Sequence, residues 1–233
     1  MGTEGFGPRV VFELGGITIT ETVTVTWFIM ALLVLCAYVA GRNLKKVPSG
    51  MQVATEAVVG GINGLTKQTM GEHNIGFAPY VGTLLLFIGI SNIAGLFGLR
   101  PPTADVNTTF GLSIMTFLMI HGFGMKNKGV FGYLKGFLEP FPALLPLNLM
   151  GELATPVSLA FRLFGNIVGG LIIMNLLYGA LGGLTTSLVG INVPFLQVGV
   201  PAALHIYFDL FAGLLQSFIF TMLTMVFVSI AMD

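Results

Sequence analysis

The sequence predicts an all-α membrane protein: about five membrane-embedded helices and an interfacial amphipathic helix, the last two spans being long, steeply tilted and paired as a hairpin. Three observations predict it. Apolar residues make up 55% of the 233 residues and charged residues only 9%, against roughly 25% charged in ordinary soluble domains. Several uncharged runs reach the roughly 20 residues that a helix needs to cross a bilayer. The lysines and arginines between those runs gather in alternate connections, the asymmetry that marks cytoplasmic loops.

The same composition excludes other classes. Formal net charge is zero, so no basic surface points to nucleic acid. Cys36 is the single cysteine, which rules out a disulfide framework or a CxxC metal site within one chain; no cofactor or metal is expected. Glu4, Arg9 and Glu13 precede any hydrophobic run, unlike a cleaved signal peptide.

Taken in order, the chain reads as one integral membrane domain over 1–233. Residues 22–41 form a first span, followed at once by Arg42, Lys45 and Lys46, which place its C-terminal end in the cytoplasm and the N-terminus outside. Residues 48–71 mix Val53, Ala57, Val58, Ile62 and Leu65 with Gln52, Glu56, Asn63, Lys67 and Gln68. That pattern predicts an amphipathic interfacial helix, either on the bilayer surface or connecting spans on the cytoplasmic side. Residues 74–99 span next, about 39 Å if wholly helical, and Arg100-Pro101-Pro102 stops them. Residues 106–125 span back, with Lys126, Lys128 and Lys135 after them. Cytoplasmic segments thus hold seven of the basic residues named here, and the outside keeps Arg9 and Arg100. The C-terminus falls in the cytoplasm.

Residues 144–184 and 193–232 are predicted as the two long helices, with Gly182-Gly183, Gly190 and Pro194 at the turn. A 40-residue helix is roughly 60 Å long, twice the hydrocarbon thickness, so each must tilt, kink or leave the bilayer. On the first, Thr155, Ser158, Arg162, Asn166 and Gly169 share one face, and on the second His205, Asp209, Gly213 and Gln216 do so, because side chains three and four apart line up.

Arg162 is the residue that packing alone does not account for. Its guanidinium stays charged in proteins, and a charge at membrane depth usually faces protein or water and marks an ion or substrate path. Interhelical hydrogen bonding accounts for Ser158, Thr155 and Asn166 as well as function does. Asp209 fits either an ion path or a structural ion pair with Arg162. Glu152, nearly three turns before Arg162, fits a functional role or a solvated cap, and His205 a proton relay or a satisfied interfacial histidine. Electrostatics gives Arg162 two effects: a carboxylate brought beside it is held ionised and releases its proton or cation, and a bare cation is repelled. Those effects suit a device in which a partner's moving carboxylate loads on one side and unloads on the other.

RLFGN at 162–166, preceded by TPVSLAF, resembles the signature of subunit a of the rotary F-type ATP synthases. LLQSFIFTMLTMVF at 214–227 is similar to that family's terminal helix, and TADVNTT at 103–109, KGVFGYLKGFLEP at 128–140 and VPSGMQ at 47–52 fit as well. The resemblance covers nearly the whole chain in order. It implies a non-catalytic stator subunit beside a ring of c subunits, with peripheral-stalk b subunits and lipid as its other neighbours. It also implies two offset half-channels for protons, or in some members sodium ions, in a cell membrane, with a bacterial plasma membrane favoured. By that resemblance Arg162 matches the essential arginine that meets each ring carboxylate, and Gln216 the glutamine that usually faces it. The chain departs from the pattern at Leu171, where many members carry a carboxylate or histidine. Asp209, with His205, is therefore expected to carry the outer half-channel alone.

Two other classes lack support in the residues. A stand-alone secondary transporter would show paired broken helices around its own mid-membrane site. An intramembrane enzyme would show a nucleophile–base or metal constellation, and neither HExxH, GxSxG nor a Walker phosphate loop is present.

Overall fold

A computed structural model of the chain describes residues 9–42, 44–138, 141–189 and 196–232. Glu4, Gly190, Pro194 and residue 193, where the return helix was expected to begin, lie outside the described residues.

The described chain opens on a strand pair that the sequence reading did not anticipate. β1 (Val10–Leu14) and β2 (Ile17–Thr20) pair antiparallel with Leu14 opposite Ile17. Gly15 and Gly16 join them at φ 58° and 87°, the positive angles that a two-residue hairpin turn requires and that glycine adopts without a Cβ clash. The elements described after it are all helical, with α1 (Glu21–Gly41), α2 (Met51–Met70), α3 (Ala78–Ile93), α4 (Val106–Lys128), α5 (Val130–Gly136), α6 (Leu145–Val189), α7 (Leu196–His205) and α8 (Gly213–Met232) as the α-helices. Among the described residues, five stretches are long and apolar enough to cross a membrane: Glu21–Gly41, Glu72–Phe97, Val106–Lys128, Pro142–Ser187 and Pro201–Met232.

Local chemistry sets the ends of these elements. Gly50 and Gly71, both at positive φ, bracket α2; its apolar residues Ile62, Leu65 and Met70 dock on Val81 of α3 and on Met225 and Val228 of α8. Asp105 caps α4: one carboxylate oxygen accepts from the Asn107 N–H at 3.0 Å, satisfying a donor the helix start leaves open. Its other oxygen accepts from the Thr22 hydroxyl at 2.8 Å, which ties the start of α1 to the start of α4.

α6 has 45 residues, about 68 Å at 1.5 Å per residue. Pro156 sits inside it and removes the helical bond to the Glu152 carbonyl. The return segment differs from the uniform helix expected over 193–232. Between α7 and α8, Ile206–Ala212 form a π-helix, whose i→i+5 bonding inserts a residue and rotates the faces before it relative to those after it.

Three apolar clusters follow α3 along the bundle. Val25 and Ile29 of α1 meet Ala94; Leu84 and Ile88 meet Leu159, Leu163 and Phe220; Val81 meets Met70, Ile120, Met225 and Val228. α3 and α8 approach closely because glycine lines the seam. A Cβ on Gly213 would lie 2.9 Å from that of Asn92. The polar group there is satisfied: the Asn92 amide donates to the Gly213 carbonyl at 2.8 Å and accepts from Thr103 at 2.6 Å. The Arg100 end of the bundle therefore gathers the β1–β2 hairpin, the end of α3 and the π turn. The Lys128 end gathers α5, the start of α6 and the end of α8, where the Asn127 amide donates to the Met232 carbonyl at 2.9 Å.

Candidate functional site

α6 has a packed face and an open one. Leu159, Ala160, Leu163, Ile167 and Met174 are buried, whereas Val157, Phe161, Ile173 and Leu176 are exposed. Ser158, Arg162 and Asn166 lie on the open side, so a permanent charge sits within an uncovered apolar surface. The Arg162 guanidinium donates to the Ser158 hydroxyl at 3.5 Å, a long bond at the limit of useful geometry. Among the described residues no carboxylate pairs with it. The structure forms no Asp209–Arg162 ion pair; the Asp209 carboxylate meets His205 instead.

Asp209 lies in a cavity of about 660 Å³ at the Arg100 end, whose lining includes Glu21, Arg100, Val168, Leu171, Asn175 and His205. Its Oδ2 is 2.6 Å from Nδ1 of His205 one turn earlier, and the Asp209 side chain is 14% exposed. The Tyr178 hydroxyl, from α6, lies 3.1 Å from the other ring nitrogen. With the imidazole proton on Nδ1, His205 donates to Asp209 and accepts from Tyr178, so the three form one hydrogen-bonded chain across two elements. Gly95 makes room for it: a Cβ there would stand 3.3 Å from the Asp209 carboxyl carbon. Leu171, the position lacking the customary ionisable group, lines this same cavity.

A second cavity, about 490 Å³, opens at the Lys128 end and is lined by Lys128, Tyr133, Asn148, Glu152 and Thr155 among others. Through Gly151 and Thr155 it adjoins a smaller one of about 190 Å³ that reaches Ser158, Arg162 and Phe227. Glu152 lies 4.0 Å from Nε2 of His121, whose Nδ1 is 2.9 Å from the Phe117 carbonyl. Burial, and then the Glu152 carboxylate beside it, push the Tyr133 phenol above its ordinary pKa, so Tyr133 stays a neutral hydrogen-bond donor at the cavity wall.

The cavities from the two ends share no lining residue. Val168, in the Arg100-end cavity, stands six residues beyond Arg162, about 9 Å along α6. Arg162 thus lines the inner end of the Lys128-end spaces, and the Arg100-end cavity begins about 9 Å further along α6.

Of the residues singled out from sequence, the structure groups Ser158, Arg162 and Asn166 on the open face, His205 and Asp209 in one cavity, and Glu152 in the other. Gln216 stands apart. It is 6% exposed and its amide nitrogen finds no partner among the described residues, and no hydrogen bond joins it to Arg162. Tyr178, His121 and Glu21 were not singled out. Tyr178 meets His205 and His121 meets Glu152 across separate elements, and Glu21 reaches its cavity only through the fold, so no local spacing points to them.

A family model described as "ATP synthase A chain" matches residues 23–229. The chain is 39% identical to "ATP synthase subunit a, sodium ion specific" of Propionigenium modestum, over 96% of this chain and 78% of that protein. It is 36% identical to "ATP synthase subunit a" of Legionella pneumophila subsp. pneumophila, over 98% and 94% of the two chains. With "ATP synthase subunit a" of Moorella thermoacetica it shares 34% identity over 95% of each.

Proposed function

The chain belongs to the ATP synthase A chain family, and on that premise we propose that it is the ion-conducting stator subunit of a rotary F-type complex. It is a multi-pass membrane protein of ATP synthesis and ion transport, without a catalytic centre of its own. In the proposed reading the two cavities are half-channels that load and unload carboxylates on a neighbouring ring of c subunits.

One observation carries this reading: cavities enter from opposite ends and share no lining residue, and the Lys128-end spaces reach Arg162, on an uncovered face of α6, and stop short of the Arg100-end cavity. A ring carboxylate passing Arg162 is held ionised and gives up its ion. The same fixed charge opposes a cation that tries to cross from one cavity to the other. The ring would cover the open face of α6, which with the return segment forms a tilted hairpin, and b subunits and lipid would cover the remainder. The Arg100 end and the N-terminus face outside, and the C-terminus faces the cytoplasm, as the distribution of basic residues requires.

Protons are the proposed cargo, supported by the Tyr178–His205–Asp209 hydrogen-bonded chain, whose members can each give and accept a proton. Sodium is the second reading, favoured by the sodium-specific name of the Propionigenium modestum relative. ATP-driven uptake by the purified complex in liposomes decides between them. Sodium-independent acidification that collapses with a protonophore means protons; labelled sodium uptake enhanced by the protonophore means sodium. Full pumping by an Arg162→Ala complex would overturn the stator reading itself.

A further inference from the structure

A histidine outside the two long helices stands beside the Lys128-end cavity. His121 of α4 is not among the residues lining that cavity, but it meets two that are. Its Nε2 faces Oε2 of Glu152 on α6 at 4.0 Å, and its ring lies edge-on to that of Tyr133 on α5, centroids 5.8 Å apart. Glycine makes the seat for Tyr133: a Cβ on Gly124 would stand 2.6 Å from the phenol ring. The Asn148 amide donates to the Phe137 carbonyl at 2.9 Å, which ties the end of α5 to α6. Three elements thus hold His121 and Glu152 against each other.

The hydrogen bonding of the ring fixes what it presents. Nδ1 lies 2.9 Å from the Phe117 carbonyl, which can only accept, so Nδ1 carries the proton of the neutral ring. Nε2 then turns its lone pair toward the Glu152 carboxylate. Two acceptors facing at 4.0 Å share no hydrogen bond. One added proton, on Nε2 or Oε2, converts them into donor and acceptor. Neither of the other titratable groups nearby offers a second base. Burial, and then Glu152, keep the Tyr133 phenol neutral, and Lys128, on the cavity wall, has an ammonium that only donates. The other elements packed on α4 are α8 and the 3₁₀ turn Pro102–Ala104, which bring no titratable side chain among the described residues.

We propose that His121 and Glu152 form one shared proton-binding site of the Lys128-end half-channel, with His121 as its second base. The proposal rests on the half-channel reading above, with protons as the cargo. In ATP-driven pumping, a proton entering the cavity settles between Nε2 and Oε2. It leaves from the Glu152 oxygen toward the smaller cavity that adjoins at Gly151 and Thr155 and reaches Arg162. An imidazole takes up protons near neutral pH, where a lone carboxylate has already shed its own. The pair can therefore be loaded at a pH where a carboxylate alone stays empty.

The test is ATP-driven proton uptake by the reconstituted complex as the pH on the ATP side is varied. Dividing it by ATP hydrolysis of the detergent-uncoupled complex removes the pH dependence of the catalytic sector. His121→Asn keeps a donor for the Phe117 carbonyl but places nothing at the Nε2 position. Its uptake is expected within about twofold of wild type at about pH 6 and on the order of tenfold lower at about pH 8, where proton capture limits. Glu152→Gln should shift the profile in the same sense. The double variant should be no worse than the more impaired single one, as for two groups of one site. An unchanged profile in His121→Asn, or losses that multiply in the double variant, overturns the proposal. If His121→Asn fails to assemble, the exchanged pair, His121→Glu with Glu152→His, is measured instead. A wild-type profile from the exchanged pair supports the shared site, and an altered profile or failed assembly overturns it. Arg162→Ala, run in parallel, separates the claims. Pumping retained there overturns the half-channel reading, and sodium uptake by wild type overturns the proton premise. Proton pumping lost in Arg162→Ala, with a normal profile in His121→Asn, overturns the role of His121 alone.

Discussion

Nδ1 of His205 and Oδ2 of Asp209 lie 2.6 Å apart, one turn from each other, with Tyr178 of α6 closing on the ring's other nitrogen at 3.1 Å. The pair straddles the junction where α7 gives way to the π turn. A carboxylate with 14% of its side chain exposed needs such a donor, since an unpaired buried charge is costly. Asp209 is therefore both solvent-accessible and fixed in direction, the two properties a relay group requires.

Asp209→Asn keeps the shape and the hydrogen-bonding capacity but removes the exchangeable charge. We expect coupled ion flow to fall about 100-fold, the scale at which a positioned acid–base group contributes, with normal assembly. The measurement is ATP-driven uptake alongside the recovery of this subunit in the purified complex. Unchanged uptake would reduce Asp209 to a packing residue.

Leu171 lines the same cavity and is half-buried. Leu171→Glu places a carboxylate against water rather than against lipid or packed side chains, so the chain should assemble and pump. Recovery of intact complex from membranes checks it. Failure to assemble would mean that this wall is closed by a partner in the complex.

How much of this was legible in the sequence depends on the range of the interaction. His205 and Asp209 are four apart, and Ser158, Arg162 and Asn166 four apart in turn, so helical spacing alone grouped them. Tyr178 and His205, or His121 and Glu152, are joined only by the packing of separate elements, and no periodicity announces that. The hairpin was legible in principle: VVFEL and ITIT flank Gly15-Gly16, a strand–turn–strand pattern overshadowed by the long apolar run after it. The π turn leaves no such trace, because seven apolar-rich residues look alike in α and π form. Gln216 shares a stripe with Asp209 on a regular helix, but the π turn re-phases that stripe, and Gln216 is buried while Arg162 is exposed.

The α3–α8 seam predicts a stability effect. A Cβ on Gly213 would fall 2.9 Å from that of Asn92, whose amide also donates to the Gly213 carbonyl. Gly213→Ala must push the helices apart or stretch that bond, an overpacking cost of about 1–3 kcal/mol. We expect a lower thermal midpoint for retention of this subunit in detergent-solubilised complex. Gly60→Ala, on an exposed position of α2 with nothing within 4 Å of its added Cβ, is the control expected not to lower the wild-type midpoint. Equal midpoints for the two variants would show that the seam yields freely.

On the proposed stator reading, Arg162→Lys tests whether the separator needs a charge or a shape. Both side chains are cationic, so a purely coulombic barrier to leakage would survive the exchange. The guanidinium is planar, carries five donors in a fixed fork, and stays charged even where burial would deprotonate a lysine. The Ser158 hydroxyl, one turn back at 3.5 Å, steadies such a fork only weakly, which leaves donors free for a passing carboxylate. A lysine offers a compact point charge on a flexible stem, so it should meet each carboxylate less consistently and release it less reliably. The expected outcome is loss of coupled transport in Arg162→Lys, with passive ion leak through the liposomes no higher than in wild type. In Arg162→Ala, coupling should be lost and leak should rise as well, because the charge between the two cavities is gone. Coupled pumping by Arg162→Lys at the wild-type rate would mean that charge alone suffices.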